Sequence, residues 1–353
     1  MSPNAERRPP PQVSVVVVNW NRRELLRACL RSLQRQSFAD FEVIVVDNGS
    51  SDGSADMVEQ EFAGGGDARF RVIRNRDNLG FCAANNQGIA ASRSPLVALL
   101  NNDAEADPEW LEEMVKLSML HPEAGMIACK ILTYEDPRRI DKVGHLIYPD
   151  GQNRGRGAGE WDMGQYDVVE EVAWPDGCAC MFRREALEEC GGFDEDFYMF
   201  GDDAELGLRL RIAGWKCLYV PTAVVKHHRG GSAALGSTYR LYMIERNRVL
   251  LALKLFPWRL LVWNIPYYFL RLLAGVKAAA VGRGEIQRYP GVTGKLRAAV
   301  AMVKGDLAAL LVAPRILRKR KDIGRIARLK PADICALIQR YRIPLRELVE
   351  KGN

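Results

Sequence analysis

Four groups of side chains in this sequence could do chemistry together. Asp103 and Glu105 follow Val97-Ala98-Leu99-Leu100-Asn101-Asn102, an apolar run that stops abruptly in two amides. A buried strand ending this way delivers carboxylates to the carboxyl edge of a sheet, where open α/β sheets bind ligands. Hard oxygen ligands there suit Mg²⁺ or Mn²⁺, ions that commonly carry substrate phosphates. His227 and His228 follow a second apolar stretch and precede Gly230-Gly231-Ser232; one of these imidazoles is a further ligand for Mn²⁺. Asp202-Asp203, with Glu205, opens a helix, where a carboxylate can take the proton of an attacking hydroxyl. The apolar Phe197-Tyr198-Met199-Phe200 just before it would desolvate such a base and raise its pKa. Asn19, Asp47, Asn78 and Asn86 stand at element ends, where they can pair with a pyrimidine edge and with ribose hydroxyls. Each group taken singly has a plainer reading: turn chemistry for the Asn and Asp residues, helix N-terminal charge for Asp202 and Asp203, and packed imidazoles for the histidines.

The elements that must position these residues are legible as strand, helix, strand, helix. Val13 to Val18 is a continuous β-branched run, as expected for a parallel strand covered on both faces. Glu24 to Gln36 carries Leu25, Leu26, Cys29, Leu30 and Leu33 at helical spacing. Strands are expected at Phe41–Val46, Phe70–Ile73 and Leu96–Leu100, with helices between them. Short links in this alternation mean a mostly parallel sheet with helices on both faces. The strand ends at Asn19, Asp47 and Asp103 should then share one edge and form a nucleotide-sized crevice. No Gly-x-Gly-x-x-Gly or Walker A loop follows the first strand, where Asn19-Trp20-Asn21-Arg22-Arg23 stands instead. This argues against a dinucleotide oxidoreductase, a P-loop NTPase and a nucleotidyltransferase that makes nucleotide-sugars. Further on, Asp150 to Gly164 reads as a flexible loop over the site. The segment 172–182 reads as strand-like, and Lys216 to Val220 as a final short strand.

The net charge of +6 over 353 residues is unevenly placed. Residues 240–330 hold twenty Lys and Arg against four Asp and Glu, so the remainder is acidic. From 239 the sheet pattern ends and helices follow, rich in Trp, Tyr and Phe with regularly placed Arg and Lys. The longest uncharged run, Leu260 to Leu270, is short of the roughly 18–20 residues that span a bilayer, and Pro257 and Pro266 are expected to break it. Such a face fits helices lying in an anionic membrane interface, with Arg318-Lys319-Arg320-Lys321 against headgroups; interleaved aromatic bulk favours that over nucleic acid. The eight cysteines are scattered in apolar contexts, which reads as reduced thiols in the cytoplasm. Residues 1–12 form a polar, Pro-rich leader, 13–238 a catalytic domain divided near 105 into a nucleotide-binding and an acceptor half, and 239–353 a membrane-associating helical region on the inner face of the cell membrane. A membrane-tethered carbohydrate-binding module is the non-enzymatic alternative, and it would not need Asp103, Asp203 and His227 together. No feature bears on oligomeric state.

As an ordered set, Val13–Asn21, Asp47-Asn48-Gly49-Ser50-Ser51-Asp52-Gly53-Ser54, Asn78-Leu79-Gly80-Phe81 with Asn86-Gln87-Gly88, Leu99-Leu100-Asn101-Asn102-Asp103, Gly192-Phe193-Asp194-Glu195 with Phe197, and His227 resemble the family 2 inverting glycosyltransferases of the GT-A fold. The resemblance covers about 13–235 and is nearest to rhamnosyltransferase-like members that build bacterial cell-surface glycans. It implies a UDP-, dTDP- or GDP-linked sugar donor, a glycan or lipid-linked saccharide acceptor, and Mn²⁺ or Mg²⁺. It puts Asn19, Asp47, Asn78, Gly80, Asn86, Asn102 and Asp103 on the nucleotide-sugar. Asp103, Glu105 and His227 become the metal residues, with Asp103-Ala104-Glu105 in the place of the Asp-x-Asp motif. Asp203 becomes the catalytic base beside Asp202.

Overall fold

The computed structural model describes residues 9–228 and 237–350. Most of the expected leader (1–8) and the Gly230-Gly231-Ser232 segment lie outside the described residues. The first half alternates as its hydrophobic runs require: β1 (Val13–Asn19), α1 (Arg23–Gln34), β2 (Phe41–Asp47), α2 (Ser54–Val58), β3 (Phe70–Arg74), α3 (Phe81–Ala91) and β4 (Leu96–Leu100). These four strands are parallel, in the order β3-β2-β1-β4. The sheet is covered on both faces, because Val13, Val15 and Val17 enter one core while Val16 enters the other. Register pairs Asn19 with Asp47 at the carboxyl edge, the juxtaposition expected from the sequence.

The second half widens the same sheet. It contains β5 (Ala104–Ala106), α4 (Trp110–Leu120), β6 (Ala124–Thr133), β7 (Ile140–Lys142), the hairpin β8 (His145–Ile147) and β9 (Asn153–Gly155), and β10 (Glu170–Glu171). After these come β11 (Ala179–Arg183), α5 (Arg184–Cys190), α6 (Asp202–Ile212) and β12 (Lys216–His227). β11 runs antiparallel between β4 and β6, and β12 lies parallel to β6 on its far side. The strand expected over 172–182 is confined to β11. β12 is much longer than expected, because Pro221 falls where its register with β6 shifts rather than ending it. The stretch 150–164 is not a flexible loop: Asp150, Gln152 and Arg154 are buried and β9 runs through it. Its polar groups are consumed internally, with Gln152 N–H donating to Asp150 and Arg154 donating to the Glu347 and Ala158 carbonyls.

The basic helices are α7 (Thr238–Leu255), α8 (Trp258–Ala280), α9 (Gly291–Ile326), α10 (Pro331–Arg340) and α11 (Leu345–Glu350). α8 continues through Pro266, since a proline removes one rung of the hydrogen-bond ladder and leaves the others. Leu250, Leu251, Leu255 and Phe256 share a core with Leu206 and Leu210 of α6, and Ala309 and Ile316 of α9 join it. Half of the 318–321 cluster faces inward. Lys319 pairs with Asp194 and Asp196, while Arg320 donates to the Leu253 and Phe256 carbonyls and lies over the Trp258 ring. Only Arg318 and Lys321 of the four are exposed. No helix among the described residues is long and apolar enough to cross a membrane. Past α10, the chain adds backbone hydrogen bonds to β8, from Ile147 N–H to the Tyr341 carbonyl (2.9 Å) and from Ile343 N–H to the Ile147 carbonyl (3.0 Å).

Candidate active site

A cavity of about 580 Å³ opens where the carboxyl ends of the sheet meet the β8–β9 hairpin and α7. Asn78, Gly80, Asn102, Asp103, Asp202, Asp203 and His227 line it. Asn19, Asp47, Asn86 and Glu105 are not in its wall, and each is engaged elsewhere. Asn19 is fully buried and laces three strand ends together: its amide donates to Asp47 Oδ1 and Ser50 Oγ, both at 3.1 Å, and its carbonyl accepts from Asn102 Nδ2 at 2.6 Å. Asp47 also accepts the Ser50 N–H at 3.0 Å. Asn86 holds the 192–195 turn, accepting from Phe193 N–H and donating to the Phe193 carbonyl. Asn48 stands in the wall instead, tied to Asn78 and to the Gly80 carbonyl. Gly80 must be glycine: its φ is +88° and an added Cβ would overlap the Tyr198 ring.

At the sheet edge, Asp103 Oδ1 lies 3.3 Å from His227 Nε2, and His227 Nδ1 lies 2.7 Å from Asp141 Oδ2. The 124-residue separation in sequence closes because β5 pairs antiparallel with β12, setting His227 opposite Ala104. Burial opposes a charge on Asp103, but the His227 hydrogen bond and charge pull its pKa below the ordinary carboxylate value. Burial likewise opposes protonation of His227, yet the Cys178 sulfur and the Asp103 and Asp141 carboxylates raise its pKa well above the usual histidine value. A carboxylate on one imidazole nitrogen, aiming the other nitrogen at a second carboxylate, is the usual support of a metal-binding histidine. The pair therefore fits Mn²⁺ or Mg²⁺. Glu105 points away from the cavity, its Oε1 3.6 Å from His228 Nε2, and His228 stacks on Tyr134. Successive side chains on an extended segment face opposite sides, which separates His227 from His228, and the register sets Glu105 opposite Lys226, on the side of His228.

A second cluster lines the same cavity, and three of its five members, Lys142, His145 and Asp176, are missing from the sequence-based expectation. Asp203 Oδ1 accepts the Ala204 N–H at 2.7 Å, and its Oδ2 is 3.4 Å from His145 Nε2. That nitrogen is also 2.8 Å from Asp176 Oδ2, on which Lys142 Nζ sits as well. Burial disfavours an ionised Asp176, but Lys142 and His145 lower its pKa well below the ordinary value. Asp202 is buried against the Asp203 carboxylate, and these two causes raise its pKa well above the carboxylate range. Ligand atoms of His145, Asp176 and Asp203 all fall within 4.8 Å of one another, the one such trio among the described residues. The expected trio of Asp103, Glu105 and His227 is not drawn that tightly. Lys142 already supplies a cation to the Asp176 end of the closer trio. Lys142, His145 and Asp176 come from segments with little pattern of their own, and only the scarcity of histidine marked His145.

A model of glycosyl transferase family 2 matches residues 14–191. The chain belongs to this family. Family 2 relatives include an O-antigen biosynthesis protein of Myxococcus xanthus, 31% identical over 63% of this chain and 18% of its own length. Another is an N-acetylglucosaminyl-diphospho-decaprenol L-rhamnosyltransferase of Mycobacterium tuberculosis, 27% identical over 62% of this chain and 76% of its own. An uncharacterized protein of Sinorhizobium fredii is 34% identical over 63% of this chain. The chain spans 25% and 18% of the length of the first two curated relatives. A mannosyltransferase of Pyrobaculum calidifontis, solved with GDP-Man and Mn²⁺, superposes with a TM-score of 0.51 at 17% identity over 96% of this chain and 83% of its own. GalNAc-T7, solved with UDP, GalNAc and Mn²⁺, gives 0.56 at 15% identity over 69% of this chain and 47% of its own. The fold is the GT-A fold, with its mixed, mostly parallel sheet followed by helices.

The raised pKa of Asp202 has a measurable consequence. A carboxyl whose pKa is raised on folding destabilises the native state as pH rises above its unfolded value of about 3.9. From there up to the native pKa its contribution falls by about 1.4 kcal/mol per pH unit. Asp202→Asn removes that loss, so its melting temperature relative to the parent should climb steadily from pH 4 toward neutrality. A constant offset across this range would contradict the assignment.

Proposed function

We propose that the protein is an inverting glycosyltransferase that moves a sugar from a nucleoside-diphosphate donor to a hydroxyl of a glycan or lipid-linked saccharide. The observation that carries this reading is the placement of Asp103 with His227 and of Asp203 in walls of a single cavity. Asn48, Asn78, Gly80 and Asn102 line the donor side. Asp103 and His227 would hold Mn²⁺ or Mg²⁺, which when bound neutralises charge on the departing nucleoside diphosphate. Asp203 takes the acceptor proton as its oxygen attacks the anomeric carbon in line. Asp202, buried against Asp203 with its pKa raised above the carboxylate range, is the less ready to carry the charge a base needs. His145 fixes the Asp203 carboxylate through its Nε2, and Tyr198, Phe200 and Leu251 in the cavity wall restrict water. The M. tuberculosis relative supports rhamnose as the sugar and a polyprenyl-linked acceptor, and the M. xanthus relative supports a place in cell-surface polysaccharide synthesis.

A lipid-linked acceptor requires contact with a bilayer, and α8 and α9 carry the surface for it. Trp258, Val262, Trp263, Phe269, Leu273 and Val276 of α8 are more than half exposed, as are Val292, Leu296 and Leu311 of α9. Arg259, Arg283, Arg288, Lys295 and Arg297 accompany them. Single exposed apolar residues are ordinary, but an extended face of aromatic and aliphatic side chains flanked by basic ones suits an anionic membrane surface.

Asp203→Asn should lower transfer by at least 10²-fold, within the range of a lost general base, while donor affinity measured by calorimetry stays within a few fold. Retained turnover would remove Asp203 from the base role. Chelation should stop transfer, and added Mn²⁺ should restore it. His227→Ala should raise the Mn²⁺ concentration needed by 10-fold or more, with His145→Ala leaving it unchanged; the reverse order would put the ion at Asp203. The protein should float with anionic vesicles, and Trp263→Ser/Phe269→Ser/Leu273→Ser should leave it at the bottom of the gradient. Equal flotation of both proteins would reject this membrane face.

A further inference from the structure

The turn that delivers Asp202 and Asp203 is held in a conformation its residues do not favour. Tyr198 and Phe200 have φ of +62° and +66°, the left-handed region that aromatic L-residues rarely adopt and that strains the backbone. Gly201, with φ +71°, completes the turn immediately before α6. Something must over-determine this shape, and α7 does. Asn247, which is 2% exposed, donates its Nδ2 amide toward three carbonyls of the turn: Phe197 (2.8 Å), Met199 (2.9 Å) and Phe200 (2.7 Å). Its own carbonyl accepts from Arg246 Nη1 at 2.7 Å, and the same Arg246 nitrogen donates to the Asp196 carbonyl at 2.8 Å. An amide is the one side chain that offers two donors and an acceptor in this fork. Within the strained turn the Tyr198 ring packs against Gly80 on the donor side, and the Phe200 ring lies beneath the Arg240 guanidinium of α7.

We propose that Asn247 is a positioning residue for the reaction: it stores backbone strain in the 197–201 turn so that Asp203 and Tyr198 are set at once, the base toward the acceptor and the ring against the donor wall. This rests on the reading of Asp203 as the base. α7, which lies beyond the 14–191 segment that the family model matches, is thereby part of the catalytic apparatus rather than an appendage. Releasing the clamp lets the turn relax toward ordinary φ values and withdraws Asp203 by a fraction of the distance that matters for proton transfer.

The test uses Asn247→Ala, Asn247→Asp, Phe200→Gly and the double variant Phe200→Gly/Asn247→Ala, each checked by circular dichroism and melting. Asn247→Ala should lower kcat by about 10- to 100-fold, as a small misplacement of reacting groups does, with KM for the donor within about 2-fold in the same assays. Glycine adopts positive φ without cost, so Asn247→Ala should cost far less kcat in the Phe200→Gly background than in the parent, whatever Phe200→Gly itself costs, a non-additivity that a merely structural residue would not show. Amide hydrogen exchange over 197–203 should quicken in Asn247→Ala and slow again in the double variant. If Asn247→Ala does not fold, Asn247→Asp, of equal size but short of donors, carries the comparison. Unchanged kcat in Asn247→Ala, or an equal loss from Asn247→Ala in the parent and in the Phe200→Gly background, overturns the proposal. If the parent transfers no sugar, the base reading of Asp203 falls, and the exchange data alone still decide whether Asn247 holds the turn.

Discussion

The Lys254 ammonium lies 2.6 Å from Asp194 Oδ2 and 2.6 Å from Glu205 Oε1, with all three groups almost completely buried. Glu205 also receives a two-pronged contact from Arg209, and Asp194 a second lysine, Lys319. Charges removed from water this thoroughly are tolerated only as a closed set, and losing one member leaves its partners uncompensated at a cost of roughly 3–5 kcal/mol. The set joins the 192–196 turn, the helix that begins with Asp202 and the basic helices α7 and α9. Everything that faces the cavity from the acceptor side is referenced to it. The strained turn runs from Asp196, which pairs with Lys319, to α6, whose Glu205 is held by Lys254 and Arg209.

This arrangement changes the meaning of the charge asymmetry. Twenty basic residues between 240 and 330 look from the sequence like a surface looking for an anionic partner. Much of that charge is spent inside the molecule, on Asp150, Asp194, Asp196, Glu205, Glu245 and Asp306. Glu245 is held by Arg248 and Arg271 with its pKa lowered to about 2, despite complete burial. What remains for an outer partner is the apolar face of α8 and α9 with the basic residues that flank it.

The fold was readable where hydrophobic period and local chemistry agree. The β-branched runs of β1, β2 and β4, and the polar stops at Asn19, Asp47 and Asp103, dictate a parallel sheet and the edge that carries the site. Asp103, His227 and Asp203 were legible for the same reason, since each follows or precedes an element of strong pattern. The missing parts are tertiary. Lys142, His145 and Asp176 meet only because β7, β8 and the segment before β11 fold over the sheet edge, and no spacing in the sequence encodes that. Asn19 and Asp47 stand at the expected strand ends and also lace that edge together, while Asn86 is tied from α3 to the 192–195 turn, bonds that no spacing in the sequence encodes. Residues 150–164 looked loose by composition, yet their glycines allow tight turns in a packed wall, where Gly151 lies close against the Arg248 backbone.

The pairing of β8 with the chain at 341–343 has a consequence for how the molecule is made. Arg154 and Glu347, which meet beside this pairing, are 193 residues apart. At synthesis rates of about 5–20 residues per second, the hairpin leaves the ribosome roughly 10–40 s before the segment that completes its hydrogen bonding. Parallel strands β1 to β4 can condense early, since their contacts are closer in sequence, but the opposite wall of the cavity stays open until almost all of the described chain has emerged. A nascent chain therefore holds a nucleotide-sized crevice without the enclosure that makes it selective, and competence arrives in one late, cooperative step.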